Sequence, residues 1–207
     1  EVMKVILNGI DTEAFFPDKN VTKIPFRIVT TASADVPLKG LDYLLEAFSK
    51  VIKIFPESTL QVIGSSKKGG HTSRKIKDLN IKDKVHFNKD LTFKEVRDLY
   101  CSSDVVVIPS LYEGFGFAIG EAMACRVPVI TTSGGAIPEV IGNCGITVAP
   151  GNSEELEEAM LKLLPDENLK KSLAEKGFKR IIEHLQWKEV AKLMTERYEE
   201  EIKRMIH

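Results

Sequence analysis

Asp104-Val-Val-Val-Ile-Pro-Ser-Leu-Tyr-Glu-Gly-Phe-Gly-Phe-Ala-Ile-Gly-Glu-Ala-Met-Ala124 is the stretch on which the fold turns. Val105 to Ile108 is an apolar run without polar alternation, the pattern of a strand buried on both faces of a parallel sheet. A glycine-bearing loop follows, and the spacing predicts a helix over Phe117 to Cys125. Gly114 and Gly116 let main-chain amides approach a ligand, while the first turn of that helix aims unpaired N–H groups and a positive dipole end at the same place. This strand–loop–helix is one half of a βαβ unit with an anion-binding turn.

Reading outward, the same alternation runs in both directions. Toward the amino end, Phe26 to Thr31 reads as a strand, followed by a loop through Pro37 into Lys39-Gly40. Leu41, Leu44, Leu45, Phe48, Val51, Ile52 and Phe55 then draw one apolar stripe at helical spacing. Thr59 to Gly64 is expected as a strand, Thr72 to Leu79 as a helix, Lys84 to Phe87 as a short strand, and Phe93 to Cys101 as a helix capped by Thr92. Toward the carboxyl end come a strand over Val127 to Thr131, a helical turn at Pro138 to Ile141 and a strand over Gly145 to Val148. Single helices between strands imply right-handed crossovers and a doubly wound α/β parallel sheet, with ligands beyond the carboxyl ends of its strands.

From Ser153 the pattern is helical to the end, with a break at Pro165 and further helices over Asn168 to His184 and Lys188 to Met205. The chain thus divides into an interdomain segment over 1–25, a sheet core over 26–150 and a helical tail over 151–207. Its 207 residues suit one core, and 43% hydrophobic with 29% charged residues is a globular balance. A net charge of −1 supplies no general attraction to nucleic acid, so any phosphate must be held by a local site. The three cysteines, Cys101, Cys125 and Cys144, have neither CxxC nor zinc-ligand spacing and read as reduced structural thiols. Without an apolar run of about 20 residues or a signal-peptide pattern, the expected location is the cytoplasm.

Two carboxylates accompany the glycine loop. Glu113 and Glu121 repel phosphate, so beside an anion site they suit neutral hydroxyls of a ribose or sugar. Lys39 stands in the loop after the first strand, where its ammonium reaches a diphosphate. A sugar nucleotide carries both kinds of group. The two-carboxylate arrangement of glycosidases is the other reading of such a pair, and the glycine-rich strand-to-helix loop argues against it. No GxGxxG follows the first strand, which speaks against a dehydrogenase.

Glu113 through Glu121, continuing Ala122-Met-Ala-Cys-Arg-Val-Pro-Val-Ile-Thr and Gly134-Gly-Ala-Ile-Pro-Glu139, resembles the EGFG…E signature of family-4 retaining glycosyltransferases of the glycogen-synthase-like, GT-B type. Asn8-Gly9-Ile10-Asp11 is similar to the segment that opens their second Rossmann-like domain, Lys39-Gly40 to their KG loop, and Trp187 to a tryptophan before their terminal helix. The resemblance spans nearly the whole chain. It implies the C-terminal, donor-binding half of such an enzyme, with the acceptor-binding N-terminal domain absent and the isolated piece inactive.

By that resemblance Glu113 contacts the donor sugar, Lys39 meets the diphosphate, and Gly114, Phe115, Gly116 and Phe117 offer main-chain groups. Glu121 holds ribose hydroxyls, and main-chain groups of the stretch Val85-His86-Phe87 meet the base. Catalysis falls to Glu113 and Lys39, with neither metal nor cofactor. The partners are a nucleoside-diphosphate sugar and the absent domain, through which any membrane contact would be made. Members commonly carry an arginine shortly before the KG lysine; here Thr30-Thr-Ala-Ser-Ala-Asp-Val-Pro37 stands instead, and Ser33 supplies at most one hydroxyl donor. Arg126 occupies a position where glycine is usual. A GT-B sugar-nucleotide epimerase and a non-catalytic sugar-nucleotide-binding module are the competing functions.

Overall fold

A computed structural model describes residues 5–33 and 36–206. Six strands, β1 (Arg27–Thr31), β2 (Thr59–Ile63), β3 (Val85–Asn88), β4 (Val105–Ile108), β5 (Val129–Thr132) and β6 (Ile146–Val148), form one parallel sheet in the order β3-β2-β1-β4-β5-β6. From β1 the chain winds outward to β3, then returns to the centre and winds the other way from β4 to β6. The reversal leaves a crevice between β1 and β4, where Ile28 pairs with Val105 and Val29 with Val106.

The apolar run at 105–108 is buried on both faces. Val105 and Val107 join the core with Leu44, Phe48 and Val51 of α1 (Leu41–Ile54), whereas Val106 and Ile108 face Ile119 and Met123 of α4 (Phe117–Ala124). Thr92 begins α3 (Phe93–Cys101) with a reciprocal capping box, its side chain accepting from Glu95 N–H while Glu95 accepts from Thr92 N–H. The remaining crossover helices are α2 (His71–Asp78) and the short α5 (Ile137–Ile141).

Most element boundaries fall within a residue of the sequence reading, and the larger departures are three. Pro37–Lys39 is a tight helical turn rather than open loop. The strand expected from Val127 starts at Val129, because Pro128 has no N–H for a ladder and Arg126 takes the left-handed conformation (φ 57°) that ends α4. The tail is less regular: α6 (Ser153–Leu163) and α7 (Glu167–Arg180) are followed by a wider π-helical turn at Ile181–Leu185 before α8 (Trp187–Ile206).

That tail belongs to the core. Leu156, Ala159, Met160 and Leu163 of α6 pack with α1. Lys170 of α7, only 4% exposed, reaches Asp104 at 3.2 Å on the amino edge of the sheet, where Asp104 also accepts from Phe26 N–H at 2.7 Å. Cys101, Cys125 and Cys144 are buried free thiols. Among the described residues no helix is long and apolar enough to cross a membrane.

Candidate functional site

Three loops leave the carboxyl edge of the sheet and are knitted together over the crevice. Gly40 closes the turn after β1 in the left-handed region (φ 65°), and a β-carbon there would stand 1.9 Å from the carbonyl oxygen of Pro109 in the loop after β4. The close approach lets Leu111 N–H donate to Leu38 O at 2.8 Å. From the β5 side, the Thr132 hydroxyl donates to Ser110 O, and Ala136 N–H donates to Glu113 O at 2.9 Å. Residues 110–113 are thereby clamped from two directions.

Glu113 inherits its position from that clamp. Its Oε1 accepts from Ser110 Oγ at 2.7 Å and from Lys39 Nζ at 2.8 Å, so an ammonium and a carboxylate from opposite sides of the crevice meet over it. The loop then opens. A β-carbon at Gly114 would meet no protein atom within 4 Å, so that side of the main chain is free to an incoming group. Gly116 adopts φ 97°, ψ 53° as the residue capping α4, a conformation costly for any residue with a β-carbon. The first N–H groups of α4, at Phe117 and Ala118, have no intrahelical acceptors, and both residues line the same cleft. Buried Phe115 meets half-exposed Phe117 edge to face at 4.8 Å.

Glu121, one turn into α4, closes the floor. Burial raises its carboxyl to about 7, opposed by a hydrogen bond from Tyr100, whose hydroxyl lies 3.4 Å from Oε2. Together these groups line a cleft of about 490 Å³ that also takes in Asn8 and Thr31, a volume within the range of small-ligand sites. A smaller recess of about 110 Å³ continues from Phe117 and Glu121 toward Asp11, Phe93 and half-exposed Trp187. The segment before the sheet is held there by Ile10, whose N–H donates to Leu185 O at 2.6 Å and whose carbonyl accepts from Trp187 N–H at 3.2 Å.

Of the residues singled out by sequence, Lys39, Glu113, Gly114, Phe115, Gly116, Phe117 and Glu121 come together in this cleft. Three do not. Ser33 is exposed on the loop after β1, and its neighbours Ala34 and Asp35 lie outside the described residues, as do residues 1–4. Val85 and Phe87 belong to β3 at the edge of the sheet; Val85 is in the core and Phe87 packs against it, with His86 exposed between them. Arg126 turns away to α7, where it stacks on the Phe178 ring at 4.3 Å and pairs with Glu175. Thr31 and Tyr100 were missed. A tyrosine on an otherwise buried helix face is the one available signal, because a buried phenol needs a partner for its hydroxyl.

Known proteins of this kind share the architecture. The profile of the family described as Glycosyl transferases group 1 matches residues 25–166. The MMP alpha-(1->4)-mannosyltransferase of Mycolicibacterium hassiacum is 35% identical over 99% of this chain and 50% of its own length. The C-terminal domain of the glycosyl transferase group 1 protein LpcC from Francisella tularensis superposes with a TM-score of 0.75 at 26% identity, covering 86% of this chain and 99% of that domain. HepE of Anabaena, solved in complex with UDP-glucose, gives a TM-score of 0.82 at 21% identity over 95% of this chain and 57% of its own. The chain spans about half the length of the relatives it matches. A Rossmann-like sheet with its glycine loop at the switch point, matched over most of its length by that profile, makes this chain a member of the glycosyl transferases group 1 family.

Proposed function

We propose that this chain is the donor-binding half of a retaining glycosyltransferase, which binds a nucleoside-diphosphate sugar in the cleft between the β1 and β4 loops. The observation that carries the reading is the meeting of Lys39 with Glu113 beside the open amino end of α4, with Glu121 on the same floor. The HepE complex with UDP-glucose agrees with it in ligand class, and the mannosyltransferase relative in the class of reaction.

The chemistry follows from where charge develops. As the bond between the anomeric carbon and the diphosphate breaks, negative charge grows on the leaving phosphate. Fixed N–H donors at Phe117 and Ala118, joined by the Lys39 ammonium, stabilise that charge more in the transition state than in the bound donor. Lys39 serves this purpose by exchanging its Glu113 contact for a phosphate oxygen. Glu113, still held by Ser110, is then left to accept from sugar hydroxyls, and Glu121 from those of the ribose. The acceptor is bound by parts of the full-length protein outside these 207 residues, so the chain alone binds donor and transfers nothing.

Calorimetry of the isolated chain with UDP, GDP, ADP and their sugar conjugates tests the reading. Binding of one nucleotide family, with a rise in melting temperature by mass action, is expected. A folded chain that binds none of them would overturn it. Sugar transfer by the full-length protein, dependent on an acceptor, separates a transferase from an epimerase or a non-catalytic binding module.

A further inference from the structure

The Tyr100 side chain is wholly buried, yet its oxygen lies 2.9 Å from Thr31 Oγ1 and 3.4 Å from Glu121 Oε2. An ionised carboxylate only accepts hydrogen bonds, so the phenol donates to Glu121 and accepts from the Thr31 hydroxyl. One chain of hydrogen bonds therefore runs from β1 through α3 to α4, joining both sides of the crevice beneath the cleft. A phenylalanine would fill the same space against Phe15, whose ring centroid is 6.3 Å away. The hydroxyl is what packing alone does not require.

We propose that Tyr100 is a positioning residue: its phenol, itself oriented by Thr31, holds the Glu121 carboxylate in the pose that receives ligand hydroxyls at the floor of the cleft. The inference rests on the nucleotide-sugar reading and adds to it a residue that touches no ligand. Burial raises the phenol, so it keeps its proton across the working range of pH. The bond favours the ionised form of Glu121, which burial otherwise disfavours. The other ionisable groups around Glu121 are Cys125 one turn along α4, Asp11 from the segment before the sheet, and Lys39 and Glu113 across the cleft. None of these supplies a donor to Glu121 among the described hydrogen bonds. With the Tyr100 bond in place Glu121 takes up its proton near neutrality, and without that bond it would do so at higher pH.

The test is the pH profile of binding, from pH 5.5 to 9, of whichever of UDP-glucose and GDP-mannose raises the melting temperature more. The pyrophosphate of either compound stays doubly charged across that range. Wild-type binding should weaken on acidification with a midpoint near 7. Tyr100→Phe should shift that midpoint upward by about half to one pH unit and weaken binding about 2- to 5-fold at pH 7, with recovery toward pH 9. Thr31→Val should move it the same way by less, and Thr31→Ser should leave it in place. In a Glu121→Gln background, Tyr100→Phe should cost nothing further.

A Tyr100→Phe chain that keeps the wild-type midpoint, or a loss that persists in the Glu121→Gln background, would sink the positioning role while leaving the nucleotide reading standing. If neither compound binds the folded wild type at any pH, the positioning role falls, and the nucleotide reading falls with it only when ADP and its sugar conjugate fail to bind as well. Should Tyr100→Phe not fold, Thr31→Val against Thr31→Ser decides the matter, because both keep the tyrosine in place.

Discussion

Lys39 and Glu113 form a pair whose value lies in being exchangeable. The ammonium is 39% exposed, so its contact with Glu113 is worth little to stability and is readily given up to a more highly charged ligand. Lys39→Ala should weaken a nucleoside diphosphate about 10-fold or more and the corresponding nucleoside hardly at all, measured by calorimetry; equal losses would contradict a role at the phosphate. Glu121 behaves differently because its carboxyl is partly withdrawn from solvent. Its carboxyl titrates near 7 in the fold and near 4.5 when free, so between those values the folded chain holds the proton more tightly than the unfolded one. Stability on this account is highest below about 4.5, falls as pH rises to 7 and stays at the lower level above it. Glu121→Gln should therefore raise stability by on the order of 1–2 kcal/mol at pH 8, after allowance for partial exposure, and by less at pH 5. Urea melts at the two pH values would show whether the advantage grows in that direction. The same variant should bind sugar nucleotides more weakly, the usual conflict between a stable carboxamide and a working carboxylate.

At the scale of elements, the site depends on loops that touch one another rather than on any single helix. Gly40 is the hinge of that contact, for a side chain there would collide with the backbone of Pro109, which has no flexible end to move aside. Gly40→Ala should cost about 2–4 kcal/mol, combining overpacking with the penalty of a left-handed conformation. Because the damage falls on the loop that carries Lys39, nucleotide affinity should drop even where the protein remains folded, which thermal melts alongside calorimetry would reveal. The Thr92 capping box is a local device by comparison. Thr92→Ala should lower stability by about 1 kcal/mol in a denaturant melt and leave nucleotide binding untouched. Both features were readable from sequence, as a Lys-Gly after a strand and a Thr-x-x-Glu before a helix. Only Gly40 required the fold to show what it approaches.

Across the whole molecule, the tail braces the sheet from the edge opposite the cleft. Lys170 reaches Asp104 from α7, and removing one member of such a buried pair leaves the other charge uncompensated. Lys170→Ala should destabilise the chain by about 3 kcal/mol in urea melts, whereas nucleotide affinity of the folded fraction should stay unchanged, since the pair lies at the far ends of β1 and β4. Sheet and site were legible to different degrees. The apolar runs, the single helices between them and the glycine loop were enough to foresee a parallel sheet with a cleft at its carboxyl edge around 110–121. Val85 and Phe87, expected to meet the base through main-chain groups, lie on β3 at the edge of the sheet with their side chains packed into or against the core. Side-chain packing does not bear on a main-chain contact.

What the sequence determined alone is everything set by short-range pattern: buried strands, helix starts, a loop with room for an anion, and the two acids within eight residues of one another. Tertiary structure decided which side chains share that loop's space. Lys39 is 74 positions from Glu113, and Tyr100, itself bonded to Thr31 on another element, reaches Glu121. Those meetings arise from the reversal of strand order between β1 and β4. Local periodicity cannot report it, because each strand reads the same whichever neighbour it pairs with.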